Sequence, residues 1–179
     1  MRKIVATAVL VVIAPALSVA QDASPRNWTQ GYVFFSPAAV GTSIAGARPS
    51  VLGFGFGSEA RLRGGVGVGV DLAGETPTSV LVGGFGHEET GLGLGSLDFS
   101  YHPSAAATKA DPFVNFGYTL YFGHRTASGY NFGGGVSIWF AKHFAFRPEV
   151  RYYGGDGSFP NPVPGVSGML TFRLGLAFR

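Results

Sequence analysis

Between Gly53 and Leu72 the chain reads GFGFGSEARLRGGVGVGVDL, an alternation of glycine with a large apolar residue on both sides of a short basic turn. Period two is the repeat of an extended strand, whose successive side chains point to opposite faces. The glycines therefore share one wall of a sheet, and Phe, Val and Leu share the other. A phosphate-cradling loop is excluded by spacing. The G-x-G-x-x-G turn needs glycine at its sixth position, where Ser58, Leu72 and Ser96 stand when counting from Gly53, Gly67 and Gly91.

The same alternation recurs along most of the chain. In LTFRLGLAFR, the apolar Leu170, Phe172, Leu174, Leu176 and Phe178 alternate with Thr171, Arg173, Gly175, Ala177 and Arg179. In FAFRPEVRYY, the charged Arg147, Glu149 and Arg151 all share one parity, opposite Phe144, Phe146 and Val150. Segments 28–36, 51–61, 66–73, 92–102, 112–122, 131–140, 144–153 and 170–179 thus predict eight strands. Strand 28–36 is apolar on both faces at Tyr32–Phe35, and strand 92–102 shifts parity near Gly95, where a bulge is expected. Most of these strands approach the roughly 9–11 residues that a tilted strand needs to cross a bilayer. Short connections at 62–65, 103–110 and 141–143 alternate with mostly longer ones at 37–50, 74–91, 123–130 and 154–166. That rhythm predicts an all-β, up-and-down antiparallel transmembrane β-barrel.

The N-terminus supplies a route out of the cytoplasm. Arg2 and Lys3 precede the apolar run 4–17, and Ser18-Val19-Ala20 offers a small-x-small cleavage site before Gln21. This is the pattern of a secretory signal peptide over 1–20, leaving 21–179 as the barrel domain. Cleavage leaves eleven Lys and Arg against ten Asp and Glu, so the charge balance gives no reason to expect nucleic acid as a partner. Without cysteine there are no disulfides, and stability has to come from burial or from closure of hydrogen-bonded strands.

Charge placement decides which face is inside. A soluble barrel with an apolar interior carries many lysines and glutamates outside. Beyond the signal, the only lysines are Lys109 and Lys142, both in short connections. A continuous aromatic face without charge is an aggregation hazard in water and a requirement in lipid. The glycine-rich charged face suits the narrow lumen of an eight-stranded barrel, and closure satisfies every backbone donor without an edge.

The segments DPFVNFGYTLYFG and NFGGGVSIWFAKHFAFRPEVRYY, with the aromatic last strand, resemble the small outer-membrane β-barrel proteins related to OmpX and to the transmembrane domain of OmpA. The resemblance covers roughly residues 28–179 and rests on the order and spacing of these segments. It implies outer-membrane localisation, contact with lipid and lipopolysaccharide, and handling by periplasmic chaperones and the barrel-assembly machinery. Phe172, Leu174, Leu176 and Phe178 match the assembly signal, although the family usually ends in Phe and here Arg179 follows. The resemblance does not extend to a peptidoglycan-binding domain after the barrel.

Glu59, Arg61, Asp71, Asp98, Arg147, Glu149, Arg151 and Arg173 fall on the inward face and are expected to pair into a lumen charge network. A plugged lumen with a structural or surface-interaction role is the leading expectation, and a narrow, low-conductance channel is the runner-up. A lipid-modifying enzyme ranks below both. Tyr101-His102-Pro103-Ser104 offers a His and Ser pair, but on the periplasmic side and without an orienting carboxylate nearby in sequence. His87, His124 and His143 are expected to be solvated, and four scattered histidines without cysteine make no zinc site. No catalytic centre, metal or cofactor is expected. The stretch 154–168, with Phe159, and the stretch 74–91, with Glu75, His87, Glu88 and Glu89, could meet a surface ligand that the residues do not identify, or simply connect strands. Glu88 and Glu89 could together recruit a divalent cation.

Overall fold

The computed structural model describes residues 28–41, 50–77, 92–103, 109–122, 126–155 and 168–179. Eight strands pair in chain order and close on themselves: β1 (Trp28–Gly41), β2 (Ser50–Arg61), β3 (Val66–Pro77), β4 (Leu92–Tyr101), β5 (Ala110–Phe122), β6 (Thr126–Trp139), β7 (Phe144–Gly155) and β8 (Gly168–Phe178). Every neighbour is antiparallel, including the closing β1–β8 pair, where Tyr32 lies opposite Ala177. Each predicted strand is present, and β1, β3 and β6 run several residues further into the connections than the alternation alone suggested. The connection between β5 and β6 therefore shrinks to 123–125, while 102–109 on the opposite end is longer. The expected alternation of short with mostly longer connections fails at this pair.

The bulge expected at Gly95 is absent. β3 and β4 pair without interruption from Val66↔Tyr101 to Glu75↔Leu92. Leu92 and Leu94 keep the inward parity of Ser96, Asp98 and Ser100, so the apparent slip is a change of chemistry on one face. They join Tyr121, Tyr153 and Met169 in an apolar cluster inside the lumen. A second inward cluster, Tyr32, Phe34, Trp139, Ala145 and Ala177, lines the wall near the β1–β8 seam. The lumen is thus polar in its middle and apolar toward parts of its wall and one end.

The outside is the inverse of a soluble protein. Among the described residues, twenty-five large apolar side chains are exposed while eleven apolar residues are buried, and every strand contributes to the exposed set. Large contiguous apolar surface on a soluble monomer is rare, because water makes it sticky. No helix among the described residues is long and apolar enough to cross a membrane, and a closed barrel needs none.

Glycines fill two roles. The turn after β2 places Gly64 and Gly65 at φ 83°, a left-handed conformation that L side chains resist. A Cβ at Gly65 would also stand 2.3 Å from the carbonyl of His102, whose N–H donates to Gly65 O at 2.8 Å. On the inner wall, a Cβ at Gly57 would lie 2.6 Å from the Tyr32 ring, and one at Gly117 would lie 2.2 Å from Asp98 Oδ1. These inner glycines make room for aromatic and charged side chains in a narrow lumen.

Candidate functional site: the lumen charge network

Inward parity on six different strands brings these charges into one cluster, in which the direct pair Arg173–Asp71 spans 102 residues of sequence. The structure points all eight expected residues into the lumen. Arg151 is one hub: its Nη1 lies 2.8 Å from Asp71 and 2.6 Å from Asp98, and its Nε lies 2.5 Å from Glu149. Arg173 shares Asp71 at 2.9 Å and donates to the Tyr153 hydroxyl. Glu59 is the second hub, accepting from Gln30 at 2.7 Å, Ser100 at 2.5 Å, His102 at 2.6 Å and Arg147 at 3.2 Å. Arg147 also reaches Glu149 at 4.0 Å, which joins the two hubs.

The guanidiniums are held by rings as well as by carboxylates. Arg147 lies 3.9 Å from the Phe113 ring centre and 4.7 Å from that of Tyr32, and Arg173 lies 4.0 Å from that of Phe34. Planar, weakly hydrated guanidinium suits such packing, which a lysine ammonium would not match. Asn115 donates to Glu149 and Asn131 to Asp98, so amides complete the carboxylate shells. A cavity of about 10 Å³ between Glu59, Asp98, Arg147 and Arg151 has room for about one water molecule.

Three members escaped the sequence reading. Asp111 pairs with Arg61 at 2.8 Å. His102 bridges Glu59 through Nε2 at 2.6 Å and Asp111 through Nδ1 at 3.0 Å, with its ring 6.5 Å from that of Trp28. Glu75, assigned to a loop by composition, is a buried inward residue of β3, where Ser36 donates to it at 2.8 Å. The parity of each strand carried the signal: Asp71, Ala73 and Glu75 share one face, as do Asp111, Phe113 and Asn115. With these additions the described lumen holds six carboxylates, four arginines and one histidine, and Glu75 is the carboxylate without an ion pair among the described residues.

His102 thus faces inward with both ring nitrogens engaged by carboxylates. Ser104, His87, Glu88, Glu89, His124, Phe159 and the signal segment 1–20 lie outside the described residues. His143 is exposed and its Nδ1 lies 2.8 Å from the Arg179 carbonyl. Phe172, Leu174, Leu176 and Phe178 form an exposed outward row on β8. The described residues include no cluster of three or more His, Cys, Asp or Glu suited to a metal.

Both His102 nitrogens can donate at once only as imidazolium. Burial opposes the charge, but the hydrogen bonds to Asp111 and Glu59 outweigh it and raise the His102 pKa above its ordinary 6.5. A raised folded value means that its contribution to stability is complete below pH 6.5 and is lost as pH rises through the shifted value. Arg61 and Arg147 compete for the same carboxylates and moderate the effect. Urea unfolding of the wild type should therefore show a midpoint that declines from slightly acid to alkaline pH, and His102→Gln should flatten that decline. An unchanged slope in the variant would assign the pH dependence to other groups.

No protein-family model matches the sequence, and no curated protein matches it. Solved structures do match in shape. Neisserial surface protein A aligns with a TM-score of 0.60 at 13% identity, over 84% of this chain and 96% of that one. The fold is that of the small outer-membrane barrels. The N-terminal barrel domain of Pseudomonas aeruginosa OprF aligns with a TM-score of 0.54 at 14% identity, over 83% of this chain and 96% of that one. Ail, the attachment invasion locus protein of Yersinia pestis, aligns with a TM-score of 0.54 at 11% identity, over 86% of this chain and 97% of that one. In this outer-membrane-barrel fold, the resemblance read from the strand motifs holds at the level of architecture.

Proposed function

We propose that the chain is an integral outer-membrane protein whose lumen is closed by the charge network and whose role is structural or interactive at the cell surface. The observation that carries this reading is the apolar outer face, continuous over all eight strands of a closed barrel. Segment 1–20 would direct export and be removed near Ala20. The start of β1, the end of β8 and the connections 62–65, 102–109 and 140–143 would face the periplasm, and the four other connections the exterior. Periplasmic chaperones would carry the chain to the assembly machinery, which would read Phe172, Leu174, Leu176 and Phe178. Lipid and lipopolysaccharide would then cover the belt.

Several features support a plug. Arg151 touches three carboxylates from three strands, and Leu92, Leu94, Tyr121, Tyr153 and Met169 fill the lumen above it. The barrels that share this fold include an attachment invasion locus protein, which is compatible with recognition through external loops. In a planar bilayer the purified protein should give no reproducible conductance. Discrete steps that change with Arg147→Ala or Glu149→Ala would establish the channel reading in its place.

A further inference from the structure

The two ends of the barrel differ in charge. At the end that holds the C-terminus, connections 62–65, 102–109 and 140–143 together with the last residue contain Arg63, Lys109, Lys142 and Arg179 and no acidic side chain. The four connections at the other end contain Arg48 and Arg125 against Glu88, Glu89 and Asp156. Segment 21–27, ahead of β1, adds Asp22 and Arg26, which cancel.

Lys109, Lys142, His143 and Arg179 are exposed. The carboxylates nearest to them along the strands, Glu59 and Asp111, turn inward and are engaged by Arg61, His102 and Arg147. Arg179 turns over the lumen mouth instead: its guanidinium lies 4.0 Å from the ring centre of the inward Trp139 and 5.4 Å from that of Trp28, and its Nε donates to the Lys142 carbonyl at 3.4 Å, which leaves Lys109 and Lys142 as the rim cations. At the same end Tyr101, Phe140, Phe144 and Phe178 are exposed outward. Cations bordering an aromatic belt match the chemistry of a lipid headgroup layer above acyl chains.

We propose that this rim is a collar for anionic glycerophospholipid headgroups, with phosphates on Lys109 and Lys142 and acyl chains against Phe140, Phe144 and Phe178. It rests on the membrane reading above. The connections at the opposite end carry two arginines against three carboxylates, and this charge difference assigns the preference to the leaflet at the turn end.

The test uses the purified exported chain inserted into phosphatidylcholine vesicles. The association of spin-labelled phosphatidylglycerol is compared with that of spin-labelled phosphatidylcholine by electron paramagnetic resonance, and the boiled and unboiled gel mobility of each sample reports insertion. A preference of about fivefold or more for phosphatidylglycerol is expected at low salt. It should fall toward unity at 1 M salt, where the screening length is about 3 Å, and in the Arg63→Gln, Lys109→Gln, Lys142→Gln triple variant, which spares the stacked Arg179. Equal association of the two lipids, or a preference unchanged in the triple variant, would overturn the collar while the inserted barrel still supports the membrane reading. Failure to insert into any vesicle would overturn the membrane reading, and the collar with it.

Discussion

Arg151→Met is expected to lower the unfolding free energy of the barrel by about 3–5 kcal/mol, the cost of removing one partner from a buried ion pair. The reason is the number of charges it leaves behind. Asp71, Asp98 and Glu149 all lie within 2.8 Å of the Arg151 guanidinium. Arg173 still holds Asp71 and Arg147 still approaches Glu149, but Asp98 keeps the Asn131 amide and no cation among the described residues. Urea titration in lipid vesicles measures the loss. Adding Asp98→Asn to Arg151→Met should recover most of it, because Asp98 is the carboxylate left without a cation while Asp71 keeps Arg173 and Glu149 keeps Arg147. A single variant within about 0.5 kcal/mol of wild type, the scale of an ordinary surface substitution, would show that the lumen charges are not mutually dependent.

The second large effect concerns the outer face. Phe116 sits midway along β5, 63% exposed, with its ring stacked on Phe99 at 5.7 Å. Phe116→Arg should cost about 2–4 kcal/mol in a bilayer, the range for a cation at the midplane of a lipid-facing strand. Phe116→Ala serves as the control for the lost aromatic pair, whose share is about 0.5–1.5 kcal/mol. On a water-facing strand the arginine would change stability by no more than about 0.5 kcal/mol. Equal stability of the Arg and Ala variants in vesicles would contradict a lipid-facing Phe116.

The architecture was legible because period two is a local signal that each strand repeats on its own. Eight strands, their order and the inward parity of Arg147, Glu149 and Arg151 could all be read from neighbouring residues. The limits of that signal explain the corrections. Glu75 was assigned to a loop because Gly74, Thr76 and Pro77 dilute the alternation, although Glu75 keeps the parity of Asp71. Leu92 and Leu94 suggested a bulge because an inward leucine breaks the expected polar face; the apolar cluster they join forms only when β3, β5, β7 and β8 come together.

The pairing itself was beyond a single strand's pattern. That Glu59 is an inward carboxylate follows from parity. That it meets His102 from the β4–β5 turn and Arg147 from β7 depends on closure, which brings together groups 43 and 88 residues apart. His102 was read on the polar parity of Ser100, at the end of strand 92–102, but it was grouped with Ser104 as a pair at the turn and not with the inward charges.

The central claim is a closed barrel with an apolar outer face, and the direct measurement is gel mobility before and after boiling of the exported chain folded in detergent. A compact, fast-migrating unboiled band that shifts on heating, from a protein that precipitates when detergent is removed, is the predicted result. Mobility unchanged by boiling, from a folded protein that circular dichroism shows to be stable in solution without detergent, would contradict it.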